Sequence, residues 1–244
     1  AFGAYALYNN TIGLNNSAFG YKSLQNNTIG TNNSAFGFYS LSTNTTGVNN
    51  SAFGYQALLS NTGGQGNTAL GNASLRNNTI GVYNTAVASG ALYYNTTGNY
   101  NSAVGFYSLL LNTTGAYNSA FGMYSMYSNT SGVENVGIGV NALYSNKTGN
   151  YNVSIGVSSL YYNVSGNNNT AVGTNALFNN TANNNSAFGY TSLYANTTGG
   201  SNSAFGYKAL RYNTTGTNNT AIGANTLQNN TFGGYNTALG RATL

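Results

Sequence analysis

Cysteine, histidine, tryptophan and proline are all missing from this 244-residue chain, and only seven side chains carry charge. Those seven are Lys22, Arg76, Lys147, Lys208, Arg211, Arg241 and a single acid, Glu134. Acid–base catalysis draws on histidine or on paired carboxylates of tuned pKa, and one glutamate makes no pair. Zinc needs cysteine or histidine, and calcium needs several carboxylate oxygens, so no metal centre or cofactor cage is expected. Disulfide staples are impossible. The composition therefore reads as non-enzymatic, with no catalytic, metal or cofactor residue. A formal charge of +5 is spread thinly. Only Lys208 and Arg211 lie close together, which argues against a nucleic-acid surface. No run of 18 apolar residues is present, so no membrane insertion is expected of this segment.

What replaces charge is amide, hydroxyl and aromatic ring: 47 Asn, 33 Gly and 22 Tyr. Their order is strictly periodic. Large apolar residues recur 17 apart at Phe2, Phe19, Phe36, Phe53, Leu70, Val87, Val104, Phe121, Ile138, Ile155 and Val172. One 16-residue unit, 172–187, leads to Phe188, after which the step of 17 resumes at Phe205, Ile222 and Leu239. Residues 1–244 thus read as a single continuous repeat array without caps, which is the signature of a solenoid or fibre.

Each unit has the same columns around its anchor. A small residue precedes it, as in Ala18 and Ala35, and Gly follows it except at Ala88. Five residues after the anchor stands Leu (Leu7, Leu24, Leu41 and onward to Leu244), with Met126 the one substitute. Eleven after is Gly13, Gly30, Gly47 and their counterparts, replaced by Asn183 in the short unit. Stretches such as Ser17-Ala18-Phe19 alternate with period two, which predicts a short half-buried strand. The anchor and Leu columns are expected inside, with Lys22, Gln25, Arg76 and the tyrosine-rich positions outside. The two glycine columns suit corners of positive φ or close backbone approach. No Asn is followed by Gly, which disfavours tight two-residue hairpins. The fold class expected is all-β: a parallel β-solenoid or β-roll of about fifteen 17-residue coils, alone or within a trimeric or filamentous assembly.

Two columns are asparagine. Eight after the anchor stand Asn10, Asn27, Asn44, Asn61, Asn78, Asn95, Asn112, Asn129, Asn146, Asn163, Asn180, Asn196, Asn213 and Asn230. Three before the next anchor stand Asn16, Asn33, Asn50, Asn67, Asn84, Asn101 and Asn118, and so on to Asn236. Turn tolerance alone would admit Asp, Gly or Ser. Strict Asn points instead to structural ladders in which stacked amides hydrogen-bond from coil to coil.

The stretches Asn16-Ser17-Ala18-Phe19-Gly20 and Asn219-Thr220-Ala221-Ile222-Gly223 resemble the Ala-Ile-Gly motif repeated in trimeric autotransporter adhesin heads. That resemblance implies a left-handed parallel β-roll, assembly as trimers and a bacterial-surface location. Asn95-Thr96-Thr97-Gly98 and Asn213-Thr214-Thr215-Gly216 look like repeats of tail-fibre-type stalks. The segment from Leu7 to Asn10 is additional to the adhesin pattern, which has shorter units.

Three features bear on function. Twenty-one Asn-x-Ser/Thr acceptors occur, and Asn9, Asn15, Asn32, Asn49, Asn72, Asn95, Asn112 and Asn213 are candidate N-glycosylation sites. Tyrosines in variable columns, among them Tyr93-Tyr94, Tyr107, Tyr124 and Tyr161-Tyr162, offer rings for sugars or for lateral contacts. A Thr column nine after the anchor raises ice binding, but Lys147 and Val164 interrupt it. The expectation is an extracellular structural fibre or adhesin-like stalk at a cell surface or virion. It would form a homo-oligomer or head-to-tail polymer, with covalent glycans as further partners. The alternative is a carbohydrate-binding surface that uses tyrosine rows.

Overall fold

The computed structural model describes residues 1–243, so Leu244 lies outside the described residues. All its regular structure is β, and the described residues contain no helix. Two compact units divide the chain, Ala1–Phe121 and Gly122–Leu244. Each is a parallel β-solenoid. The first carries seven three-residue strands from β1 (Ser17–Phe19) to β7 (Ser119–Phe121), and Phe2 adds a single bridge to Phe19. The second carries seven more, from β8 (Val136–Ile138) to β14 (Thr237–Leu239).

Neighbouring strands pair in chain order with a shift of one repeat: Ser17 faces Ser34, Ala18 faces Ala35 and Phe19 faces Phe36. Like therefore stacks on like in every column. Hydrogen bonds between coils also run outside the strands, as in Leu24 N to Ser40 O at 3.0 Å and Asn32 N to Leu14 O at 3.0 Å. At one corner the amides of Thr28, Ile29 and Gly30 all donate to the carbonyl of Thr45, at 3.1–3.2 Å. Nearly the whole circumference is thus tied to the next coil, which a lone coil could not achieve.

The core differs from expectation in one respect. Leu24, Leu41, Leu58, Leu75, Leu92 and Leu109 are fully buried, as their column suggested. The anchors are not. Phe19 is 51% exposed, Phe36 38% and Leu70 50%, while the preceding Ala35 and Ala69 are at 0%. Alternation was right and its phase was inverted. Seventeen residues enclose a narrow space, and the Leu side chain from the opposite wall leaves room only for a small side chain on the strand. The pairing of sizes shows this directly. Met126, the one non-Leu, shares its coil with Gly137, the one Gly in the Ala column; a Cβ on Gly137 would stand 2.8 Å from Met126 Cγ.

Backbone geometry meets the expectation for both glycine columns and adds a feature to it. Gly20 has φ 128°, and a Cβ there would lie 2.6 Å from Gly37 O. The other glycine column is required by close approach alone: a Cβ on Gly64 would meet Gly81 O at 2.5 Å. Positive φ falls also on ordinary residues, including Lys22 (57°), the core Leu24 (49°) and Asn32 (57°). The steric cost is about 1–2 kcal/mol at each. It is tolerated because the amides of Lys22, Leu24 and Asn32 each bond to an adjacent coil.

Candidate functional site

The inner asparagines form two columns of linked amides. In the first, Asn27 Nδ2 donates to Asn10 Oδ1 at 2.7 Å and to Gly30 O at 3.0 Å. The same pair of bonds recurs at Asn44, Asn61, Asn78, Asn95 and Asn112 in the first unit. In the second unit Asn146 joins Asn129, Asn163 joins Asn146, Asn213 joins Asn196 and Asn230 joins Asn213. In the second column Asn33 sends both its backbone N and its Nδ2 to Asn16 Oδ1, at 2.9 and 3.2 Å. Asn50, Asn67, Asn84, Asn101 and Asn118 repeat this.

The corner carbonyl ties the columns together: Gly47 O accepts from Asn44 at 3.0 Å and from Asn33 at 2.8 Å. A buried amide such as Asn44 therefore donates twice and accepts once. Asp lacks the donor, Ser has a single hydrogen, and only a short side chain fits between strand and corner.

The 16-residue unit interrupts one rung. The missing residue lies before the corner, so Ala182, not Asn183, takes the glycine position, and its carbonyl receives Asn169 Nδ2 at 2.8 Å. Asn180 must turn to reach it, donating to Ala182 O at 2.9 Å and accepting from Asn185 at 3.1 Å and Asn196 at 2.7 Å. Asn163 Oδ1 is left buried with no partner.

Glycosylation at three of the sequence-based acceptors is incompatible with this fold. Asn95, Asn112 and Asn213 are at 0% exposure, and the Nδ2 that would carry a sugar is held inside the first ladder. Asn9, Asn15, Asn32, Asn49 and Asn72 are exposed. Asn15, Asn32 and Asn49 form an outer amide row joined by hydrogen bonds of 3.2 Å. In the Thr column, Thr28 and Thr45 Oγ1 donate to the next coil's carbonyls at 3.0 Å, so these hydroxyls are already engaged.

Large rings lie outside, in rows along the repeat. Phe36 and Phe53 stack at 4.9 Å and 4°, and Tyr21, Phe38 and Tyr55 stack beside them at 5.3 and 5.5 Å. Tyr83, Tyr100 and Tyr117 stack at 5.2 and 5.0 Å. In the second unit Tyr127, Tyr144, Tyr161, Phe178 and Tyr194 continue ring on ring at 5.0–5.2 Å. Burial raises the Tyr144 phenol pKa, with help from its tyrosine neighbours. Lys22 sits among Tyr5, Tyr21 and Tyr39, 5.2–5.9 Å from their centroids. A hydrogen bond with Tyr39 is the main cause that raises its pKa. Sequence reasoning missed the ring rows of the anchor column because it placed those rings inside.

Among the described residues no cluster of three metal-ligating side chains exists, and no helix is long and apolar enough to cross a membrane. No protein-family model matches this chain, and no curated protein matches it in sequence.

Proposed function

We propose that this chain is a non-enzymatic structural element that associates with further copies of itself into an extracellular fibre or adhesin-like stalk at a cell or virion surface. The observation that carries the reading is the exposed anchor stripe. Fifteen anchors are all large and apolar, with no charge in the column. Six rings from three coils (Phe19, Tyr21, Phe36, Phe38, Phe53 and Tyr55) are each about two-fifths exposed or more. At about 150–250 Å² per buried aromatic side chain, these six alone offer on the order of 500 Å². Phe2, Leu70 and Phe106 extend the stripe within the first unit. The total exceeds what a solitary soluble protein usually displays and approaches the roughly 800 Å² per partner of a stable interface. A second copy suits it best, because only the same repeat would match its spacing of about 4.8 Å per coil along the whole length. The likeness of Ala-Ile-Gly motifs to adhesin heads supports the same reading.

The test compares wild type with a Phe36→Ser, Phe53→Ser variant by light scattering at rising concentration, with circular dichroism to monitor the fold. Growth into elongated particles, weakened in the folded variant, is the expected result. Wild type that stays at the 25.3 kDa of one chain throughout would refute the proposal. Sugar binding is the weaker reading. Stacking on a sugar needs a free ring face, and inside these rows rings such as Phe38 and Tyr100 have a ring against both faces. That leaves only row-end rings such as Tyr55 with a face not covered by a ring. Glycan-array binding lost on Tyr55→Ala would reverse that preference.

A further inference from the structure

We infer that Tyr83, Tyr100 and Tyr117 form an oxidative cross-linking site, at which a peroxide acting through a haem peroxidase joins adjacent coils by dityrosine bonds. The inference does not depend on whether the chain builds a fibre.

The three phenols hold the same position in successive coils of the first unit. Their ring centroids lie 5.2 and 5.0 Å apart, at 18° and 6° between planes. They are 52%, 47% and 58% exposed. Backbone bonds fix them in place: Tyr83 N donates to Gln65 O, Tyr100 N to Val82 O and Tyr117 N to Asn99 O, at 2.9–3.0 Å. The rings are held side by side by the main chain while about half of each side chain stays exposed. Composition adds the second argument. With no Cys, Trp or His and two Met, the chain has almost nothing else to absorb oxidising equivalents, so a one-electron oxidant meets tyrosine.

Each of two phenols gives up one electron and its hydroxyl proton. The resulting phenoxyl radicals join through the carbons ortho to oxygen, forming one C–C bond. The hydrogens on those carbons then move to the oxygens and restore both phenols. One hydrogen peroxide takes up the two electrons and two protons and leaves as two waters. Tyr100 has two ortho carbons and can bond to both neighbours. Permanent proximity makes coupling within one chain far faster than an encounter between chains.

Tyr151 provides the internal control. It occupies the same column and is 54% exposed, but its neighbours in that column are Glu134 and Asn168. The experiment treats the full chain, at low concentration, with a haem peroxidase and hydrogen peroxide. Readouts are dityrosine fluorescence, intact mass and peptide mapping. Expected are single-chain products that lose two hydrogens per bond, with links from Tyr83 to Tyr100 and from Tyr100 to Tyr117. Tyr100→Phe keeps the stack and should abolish both links, whereas Tyr151→Phe should leave their yield unchanged. A treated chain should also unfold at a higher temperature, because its unfolded state is constrained by loops of 17 residues. Absence of dityrosine, links mainly between chains, or Tyr151 entering dityrosine as readily as the triad would each overturn the inference.

Discussion

Replacing Asn95 by Asp changes one nitrogen for oxygen at the centre of the first unit. Asn95 Nδ2 donates to Asn78 Oδ1 at 2.8 Å and to Gly98 O at 3.0 Å, and the residue is fully buried. Gly98 O keeps a second donor, Asn84 Nδ2 at 2.8 Å, but Asn78 Oδ1 loses its partner. Two lost hydrogen bonds at about 1 kcal/mol each, plus about 1–3 kcal/mol for an orphaned acceptor, give a destabilisation of about 3–5 kcal/mol near neutral pH. Desolvation and the facing oxygens raise the pKa of the new carboxyl above the roughly 3.9 of an unfolded Asp. The protonated form is then the one the fold prefers. The deficit is smallest below the unfolded value and grows as pH rises through the folded one. Asn32→Asp makes the same chemical change on the exposed row, where both bonds are 3.2 Å long, and should cost no more than about 0.5 kcal/mol. Urea unfolding of both variants by circular dichroism, near pH 7 and near pH 3, separates the cases. If Asn95→Asp and Asn32→Asp unfold at the same urea concentration near pH 7, the inner ladder contributes nothing and the reasoning fails.

Gly137→Ala should destabilise by about 1–3 kcal/mol through its contacts with Ser125 Oγ and Met126, and adding Met126→Leu should recover the Met126 part of that; additive losses in a thermal double-mutant cycle would dismiss the size pairing. Ala88, the one non-Gly in its column at φ 106°, should gain about 1 kcal/mol on replacement by Gly, read as a raised melting temperature. Inserting Thr after Thr181 together with Ala182→Gly rebuilds the 17-residue unit, and should recover about 1–3 kcal/mol by restoring a donor to Asn163 Oδ1; an unchanged urea midpoint would count against this account of the broken rung. Stability should be nearly flat from mildly acid to mildly alkaline pH, because the chain has a single acidic side chain and no His. The raised values of Lys22 and Tyr144 mean that their contributions are intact below the ordinary values of 10.5 and 10.0 and are lost as pH climbs through the folded ones, so melting temperature should fall only in strong alkali.

The period, the parallel stacking, the inward Leu column and the strand positions were all legible, because each depends on residue type recurring at one phase. The facing of Phe19 and Phe36 was not. Hydrophobicity alone favoured placing the largest side chain inside, and coil width is not written in any single unit. The signal that decides it was present: the column before the anchor holds only Ala, Gly and Ser, whereas the anchor ranges over Phe, Leu, Val and Ile. Uniform small volume marks the tight side. Left-handed φ at Leu24 was illegible for a different reason, since propensity disfavours it and only hydrogen bonds between coils make it tolerable. Acceptor motifs were misleading at Asn95 because the motif does not report which way the amide faces. The displaced corner at Ala182 followed from hydrogen bonding that spacing alone left ambiguous.

The inner amides also have a direction. In both buried columns the donor belongs to the later coil and the acceptor to the earlier one, as in Asn44 to Asn27 and Asn50 to Asn33. The side-chain dipoles within a unit therefore align head to tail and add, much as peptide dipoles do along a helix, and each can strengthen its neighbours. The outer row runs the other way, with Asn15 donating forward to Asn32. Each unit is thus an electrically polar rod with a hydrogen-rich and an oxygen-rich end to its interior. A coil joined to the amino-terminal side must present bare amide oxygens, and one joined to the carboxyl-terminal side must present amide hydrogens. End-to-end joining in opposite senses would set oxygen against oxygen, so any growth along this axis can proceed in only one polarity.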